Sequence, residues 1–569
     1  MGKISGAEAL VRALLAEDVR FVFGIPGGQW IPFLDAIHRI GRPQGLDFVM
    51  TRHEQAAAHM ADAVSRLTNR VGVCLGTVGP GAVDLVPGIF EAYSESSAVL
   101  ALTAQVQSWK AYPDNGSTQF CDQKRLFEPI TKFNAVVSHW RRIPELVQRA
   151  FRSALSGTPG PVHLDIPVDV LYAEGEEDDL QFLSPSEYRI LDRPAPAPQA
   201  LRQVVEMIKA SENPLIHAGG AVQRAEAFGE LRELAERLQA AVTCTVYARG
   251  VFPESHPLHF LPMGYGAISA QAEADLVIDL GARLCAMDMW GKVPGWGVPE
   301  AQRFVQVDIN PESMALTRKV DLAVQADVKE FLRALLAELE REGIRRERPH
   351  PNHAQYREAE EAWMADFAAA GASEAVPIHP LRPVAEFRSR FPQEAVVVLD
   401  GGNAQVWATY LTRIERPFSF LAQSDSGMLG GGLPKAIAAK LLFPDRPVFL
   451  LTGDGAFGLN IQELETARRL GAAVVIGILN DRAWGMIKAD QPGERYIGVD
   501  FHDADYAAIA RGFGCFGERV ERPEEIGPAL ARAEASGLPA VLDILVDPVV
   551  NLKVPDLETL DAIWLDEVL

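Results

Sequence analysis

Short apolar, often β-branched runs, each followed by a stretch of helical periodicity, recur along the whole chain of 569 residues. In the first third the runs are FVFG, DFVM, VGVCLGTVGPG, SAVLALTAQV and GPVHLDIPVDV. The middle third has NPLIHAGGAV, ADLVIDLGARL and RFVQVDINP, and the last has EAVVVLDGGN, PVFLLTGDG, AAVVIGILND and LPAVLDILVD. This alternation predicts parallel sheets with helices on both faces, the α/β class. The acidic EGEEDDL with the alternating prolines of DRPAPAPQ marks one linker, and the charged LLAELEREGIRRERPHPNHAQ marks a second boundary. Three domains are expected at 1–180, 195–340 and 370–548, each a mainly parallel sheet flanked by helices, followed by a tail over 549–569. No fixed-period repeat is visible, so any kinship among the three is structural.

The opening MGKISGAEALVRALLAEDV reads as an amphipathic helix begun by a capping box of Ser5 and Glu8, not as an export signal. No apolar run approaches the about 20 residues that a membrane span requires. With 54 basic and 76 acidic residues the formal charge is −22, and no basic block offsets it, which argues against nucleic acid or an anionic membrane as partner. An anionic cofactor must therefore be held locally, by backbone amides or a metal. Cys74, Cys121, Cys244, Cys285 and Cys515 are scattered without a C-x-x-C pair, so neither a disulfide framework nor a zinc site is expected. The expected location is cytoplasmic.

The stretch FLLTGDGAFGLNIQELETARRLG, Phe449 to Gly471, sets an acid between two glycines where a strand pattern meets a helical one, with Asn460 and Glu463 placed for capping. Gly453, Asp454, Gly455 and Ala456 then lie near the carboxyl end of a strand, where open α/β sheets bind ligands. A glycine-flanked loop offers N–H groups to a phosphate. Asp454 would repel that anion unless a divalent cation bridges them, and Mg²⁺ takes one or two carboxylates together with phosphate oxygens. The next run, AAVVIGIL, ends on Asn480 and Asp481, and 481 − 454 = 27 residues separate the two acids. A strand-G-D-G-helix-strand-N-D unit predicts a metal–diphosphate site.

That unit resembles the thiamine-diphosphate motif, which begins G-D-G and ends after roughly thirty residues in Asn or Asn-Asn, with Asp481 standing at the second Asn. The resemblance implies Mg²⁺ held by Asp454, Asp481 and the backbone carbonyl of Ala483. The family also requires a buried carboxylate on the aminopyrimidine ring, and in TRHEQAAAHMADAVSR the strand-to-helix junction supplies Glu54. His53 and His59 beside it read as packing or capping residues. GIPGGQWIPFLDAI, TVGPGAVDLVPGIFEAY, QFCDQKRLFEPITK, DGGNAQVWA and SGMLGGGLPKAIAA are similar to the acetolactate synthase branch over most of the first and last thirds, with a looser match between.

Residue by residue, the resemblance implies that Leu429 wedges between the cofactor rings. The Gly427 carbonyl accepts from the pyrimidine amine, and Met486 lines the same pocket. Gly402, Asn403, Gly455, Ala456 and Gly485 contact the diphosphate, Gln119 points into the catalytic cavity and Gly28 lies on the loop beside it. The implied domains are pyrimidine-binding, central Rossmann-like and diphosphate-binding. The implied assembly is a homodimer or homotetramer, because the two halves of each site come from different subunits. The implied reaction decarboxylates a 2-oxo acid and ligates what remains to an acceptor carbonyl.

The chain also departs from that branch. Asp490, in GMIKADQ, stands where the branch has a Trp, and a negative charge near an acceptor subsite disfavours an anionic second oxo acid. In the middle third GARLCAMDMWG keeps Gly281 and Arg283 but not the acidic pair of the flavin-binding stretch, so FAD or ADP stays open there; Gly219 and Gly220 of HAGGAV form a nucleotide-like turn. One rival is a 2-hydroxyacyl-CoA lyase or oxalyl-CoA decarboxylase-like lyase carrying ADP. Another is a non-catalytic nucleotide-binding paralogue, against which Glu54, Asp454 and Asp481 speak. No strand is followed by G-x-G-x-x-G, which disfavours a plain dehydrogenase. The tail is expected to fold over the site.

Overall fold

In the computed structural model, which describes residues 2–390, 392–423 and 425–555, each apolar run above forms a strand, and the strands assemble into three parallel sheets flanked by helices. Of the tail expected over 549–569, residues 556–569 lie outside the described ones. The first sheet contains Phe21–Gly24, Asp47–Met50, Gly72–Gly76, Val99–Gln105, Phe133–Val136 and Val162–Pro167, arranged second-first-third-fourth-sixth-fifth. The central sheet contains Pro214–Ala218, Ala241–Cys244, Leu276–Leu280, Arg303–Asp308 and Leu322–Gln325, arranged second-first-third-fourth-fifth. The last sheet contains Val396–Asp400, Phe420–Leu421, Val448–Gly453, Val475–Asn480, Phe516–Val520 and Ala540–Leu545, in the same order as the first. The capping box of Ser5 and Glu8 is present and opens the helix Gly6–Ala16, whose buried face includes Leu10, Val11 and Leu14.

The first and last sheets share a core. The helix Glu54–Thr68 packs on the helix Gly432–Leu442, and Ala57, Ala58 and Ala61 on one with Ala436 and Ala439 on the other keep the contact close. Inside this contact lies a fully buried ionic cluster. His59 Nδ1 is 2.6 Å from Glu91 Oε2, Lys435 pairs with Glu91 and stands 3.5 Å from Asp62, and Arg66 is 3.8 Å from Asp62. Burial opposes the charge on Glu91, but Lys435 and His59 outweigh it and hold the carboxyl well below the ordinary carboxylate range. Such a cluster adds little net stability over apolar packing, yet loss of one member leaves a buried charge uncompensated.

Glu463 ties the same two domains together: its Oε1 accepts the Arg52 N–H at 2.9 Å and its Oε2 the Thr466 hydroxyl at 2.6 Å. Burial pushes this carboxyl up to about 7, against those hydrogen bonds. A raised carboxyl favours the folded state while protonated, so its contribution is complete below the unfolded value of 4.5 and is lost as pH rises through about 7. Because the residue is fully buried, the loss amounts to roughly 3 kcal/mol. Glu463→Gln keeps an acceptor for Arg52 and is expected to remove this part of the pH dependence; thermal unfolding of both proteins between about pH 5 and pH 8 checks it.

Candidate active site

The strands Val448–Gly453 and Val475–Asn480 are parallel neighbours in which Gly453 pairs with Leu479, so Asp454 and Asp481 leave the sheet side by side. The glycine-flanked segment is not a free loop: Gly453 caps a short helix, Asp454–Leu459, and a second helix, Glu463–Leu470, follows after a break. Asn460 accordingly terminates the first helix and donates from Nδ2 to the Gly430 carbonyl at 2.8 Å, while Glu463 serves the domain contact described above. Gly455 is required by packing, since a Cβ there would lie 2.5 Å from the Trp484 ring on the neighbouring strand tip.

Asp454 Oδ1 accepts its own helix's Gly455 N–H at 2.9 Å, while Oδ2 is buried and has no hydrogen-bond partner among the described residues. Asp481 Oδ1 accepts the Ala483 N–H at 3.3 Å, and its Oδ2 accepts from Asn551 Nδ2 at 2.7 Å. Burial, and then the like charge of Asp481, push the Asp454 carboxyl up to about 8; burial also raises Asp481. Two buried carboxylates with an oxygen left over are a site short of positive charge. Ala483 follows Arg482, whose φ of 60° turns the backbone sharply at this point.

The residues expected around the diphosphate gather at the same strand ends. Gly402 caps the helix Asn403–Leu411, and a Cβ on it would lie 3.2 Å from the Cβ of Met486. A Cβ on Gly485 would lie 2.6 Å from Asp481 Oδ2 and 2.9 Å from Asn403 Nδ2, so Gly485, Asp481 and Asn403 meet in one crowded spot. Asn403 Oδ1 is a further buried oxygen without a partner among the described residues, and Ala456 is buried in the first turn of the helix Asp454–Leu459, 3.3 Å from where a Cβ on Gly401 would lie. Gly427, at φ 60°, and the half-buried Leu429 lie on a loop anchored by Asp400, which accepts the N–H groups of Gly430 and Gly432 at 3.3 and 2.7 Å.

Glu54 is the first residue of its helix, capped by His53, whose Nδ1 accepts the Gln55 N–H at 3.1 Å. It is 6% exposed, and burial, with Asp84 adding to it, raises its carboxyl despite the backbone N–H and His53. The loop after the strand Gly72–Gly76 surrounds it: a Cβ on Gly81 would lie 2.7 Å from Glu54 Oε1, one on Gly79 2.2 Å from the Gln119 carbonyl, and one on Gly27 2.0 Å from Thr77 Oγ1. Glu54, Gln119 and Gly28 thus collect around Thr77–Gly81, with Gln119 and Gly28 exposed. Gln55 Nε2 donates to the Leu429 carbonyl at 3.4 Å, which joins this group to the Gly427–Leu429 loop of the last domain.

Sequence reasoning missed the supports. Gly79 N–H donates to Gln123 Oε1 at 2.8 Å, Gln123 Nε2 donates to Asp165 Oδ1 at 2.6 Å, and the Tyr112 hydroxyl donates to Asp165 Oδ2 at 2.6 Å, fixing the segment that carries Gln119. Asn551 was invisible for the same reason: no local motif announces a partner seventy residues away from Asp481. In the central domain Gly219 and Gly220 serve packing, because Cβ atoms there would lie 2.2 Å from the Gly281 carbonyl and 2.9 Å from the Tyr247 ring.

Comparisons with known proteins match three stretches of the chain. Residues 4–126 match the N-terminal TPP binding domain of thiamine pyrophosphate enzymes, residues 201–335 their central domain and residues 400–544 their C-terminal TPP binding domain. The chain belongs to the thiamine pyrophosphate enzymes. Within them it stands with the acetolactate synthase-like members: it is 34% identical over 564 residues to a probable acetolactate synthase large subunit of Methanococcus aeolicus, covering 96% of this chain and 92% of that one. The probable acetolactate synthase large subunit of Methanocaldococcus jannaschii is 35% identical over 568 residues, with the same coverage. A sulfoacetaldehyde acetyltransferase of Alcaligenes xylosoxydans xylosoxydans is 31% identical over 565 residues, covering 93% of this chain and 90% of that one.

The Gly81 contact gives a direct check on Glu54. Gly81→Ala forces a Cβ against Glu54 Oε1 and against Thr77 Cγ2 at 2.9 Å, so the carboxylate has to move. Turnover is expected to fall about 10²-fold. Side-chain ends rather than backbone give way, so the thermal midpoint should change little; the two measurements are made on the same preparation.

Proposed function

We propose that the protein is a thiamine-diphosphate-dependent carboligase of the acetolactate synthase type, which decarboxylates a 2-oxo acid and ligates the remainder to an acceptor carbonyl. The observation that carries this reading is the partnerless, buried Asp454 Oδ2 beside Asp481 at the carboxyl ends of two parallel strands, an oxygen set that fits a divalent cation. Asp454, Asp481 and the Ala483 carbonyl would hold Mg²⁺. Gly402, Asn403, Gly455, Ala456 and Gly485 would hold the diphosphate, and Glu54, Gly427, Leu429 and Met486 the pyrimidine. When bound, thiamine diphosphate supplies the carbon centre that adds to the oxo acid and accepts the electron pair left as CO₂ departs.

Glu54 works through its protonation: a buried carboxyl with a raised pKa can share a proton between Oε1 and a ring nitrogen, which a solvated carboxylate does poorly. Gln119 and Gly28, exposed beside Thr77–Gly81, would meet the oxo acid. Asp490 is exposed at the end of the helix Gly485–Ala489, and its charge favours a neutral acceptor over a second anion.

A homodimer or homotetramer completes the reading. It is supported by Val83, Phe90 and Tyr93, 45, 38 and 47% exposed, which share one face of the helix Pro80–Ser94 next to Glu54's loop. The location in this reading is cytoplasmic, as the sequence leads one to expect. No helix of the described residues is long and apolar enough to cross a membrane. FAD fits poorly. The cavity among the three domains is about 270 Å³, and Glu95, Asp288, Asp308 and Asp425 on its walls outnumber Arg224 and Arg283. That charge balance disfavours the phosphates of a dinucleotide, and the reading uses none.

The test is a panel of 2-oxo acids and acyl-CoA thioesters with thiamine diphosphate and Mg²⁺. CO₂ release with a condensed hydroxy product is expected; cleavage of an acyl-CoA without any condensation would establish the lyase instead.

A further inference from the structure

After the last strand, Ala540–Leu545, the chain turns at Asp547. Its carboxylate accepts the N–H groups of Val549 and Val550 at 2.8 and 3.1 Å, and its carbonyl accepts that of Asn551 at 2.9 Å. The turn sends Asn551, 4% exposed, back under the strand tips. There its side chain bridges two elements: Nδ2 donates to Asp481 Oδ2 at 2.7 Å, and Oδ1 accepts from Trp407 Nε1 at 2.8 Å. Its main-chain carbonyl accepts from Asn403 Nδ2 at 2.7 Å. We propose that Asn551 is a positioning residue for the metal–diphosphate pocket, orienting Asp481 and Asn403 and thereby linking the C-terminal segment to cofactor binding; the proposal rests on reading Asp481 as a metal ligand.

Three features support this role. With Oδ2 committed to Asn551 and Oδ1 accepting the Ala483 N–H over a long 3.3 Å, the Asp481 carboxylate is held in a fixed direction. A partner that orients a metal-ligating carboxylate is part of what sets affinity. Next, Asp481 brings a second buried negative charge beside Asp454, and a neutral amide donor on Oδ2 offsets it through a charge-assisted hydrogen bond without adding a charge of its own. Lastly, a Cβ on Gly485 would lie 3.3 Å from Asn551 Nδ2 as well as against Asp481 and Asn403, so the three polar groups are packed together and cannot rotate freely. Trp407 lies on the helix Asn403–Leu411, so the same amide also fixes that helix, whose first residue is Asn403.

Calorimetric titration of thiamine diphosphate into the full-length protein, at several Mg²⁺ concentrations, tests the proposal on wild type, Asn551→Ala, Asn551→Asp, Asp481→Asn and the double variant Asn551→Asp with Asp481→Asn. Asn551→Ala is expected to bind about 10- to 100-fold more weakly and to require more Mg²⁺. Asn551→Asp should be worse, because it sets a third carboxylate against Asp481 and Asp454. The double variant exchanges donor and acceptor: the amide now at position 481 donates in the opposite direction across the same gap, and the carboxylate at position 551 still accepts from Trp407. It should recover most of the affinity lost in Asn551→Asp, a recovery that general damage to the fold would not give. Wild-type binding that both single Asn551 variants reproduce, or a double variant no better than Asn551→Asp, overturns the proposal alone. Wild-type protein that binds no thiamine diphosphate with Mg²⁺ overturns the metal-site reading and this proposal together.

Discussion

Glu54→Gln is expected to lower turnover by about 10²–10⁴-fold while the protein remains folded. The substitution keeps the volume and one acceptor oxygen in a pocket shaped by Gly81 and Thr77, so packing around the 6% exposed side chain is preserved. What disappears is a group able to hold and release a proton at Oε1. Burial already disfavours the ionised glutamate, so neutralising it costs the fold nothing, and the thermal midpoint should equal or exceed that of wild type. Turnover at saturating thiamine diphosphate, measured beside a melting curve, separates the two effects; near-normal turnover would remove Glu54 from the mechanism.

Asp454→Ala is expected to weaken thiamine diphosphate binding by more than about 100-fold, since in the proposed reading it would remove a metal ligand and not merely a supporting residue. The apo-protein should nevertheless be at least as stable as wild type. Asp454 is buried, one of its oxygens has no partner among the described residues, and the neighbouring Asp481 carries the same charge. Removing it relieves that repulsion at a modest cost in packing. Stability gained where function is lost is what a site preorganised for a cation should show. Calorimetry for the affinity and thermal unfolding without cofactor for the stability are the measurements; unchanged affinity would exclude Asp454 as a ligand.

The sheet interiors were legible, and of the edges only Asp47–Met50 was. Runs such as VFLLTG and VVVLD are buried on both faces and therefore continuously apolar. Phe133–Val136, Leu322–Gln325 and Phe516–Val520 lie at sheet edges, half-exposed and mixed with polar residues such as Glu518 and Arg519. Ala241–Cys244 and Phe420–Leu421 are edge strands too short to give a period. The site divides in the same way. Asp454, Asp481 and Glu54 sit at strand-to-helix junctions with local signatures, whereas Gln123, Asp165, Asp400 and Asn551 act across long sequence separations and carry none. The G-D-G segment lies at a strand end, as its pattern predicts, but it is helical where a loop is expected: its glycines read as turn residues, although one caps a helix and the other accommodates Trp484.

The common strand order of the first and last sheets has a consequence for stoichiometry. In each, the helix after the second strand lies in the contact between the two domains, and the end of the third strand with the start of the next helix carries paired glycines: Gly79 and Gly81 near Glu54 in one, Gly453 and Gly455 flanking Asp454 in the other. One scaffold is thus folded twice in a single chain, and in the proposed reading the two copies would divide the labour, one keeping the acid for the ring and the other the acids for the metal. On the reading proposed above, an assembly of these chains would have as many complete cofactor sites as it has chains, whichever chains supply the two halves of each.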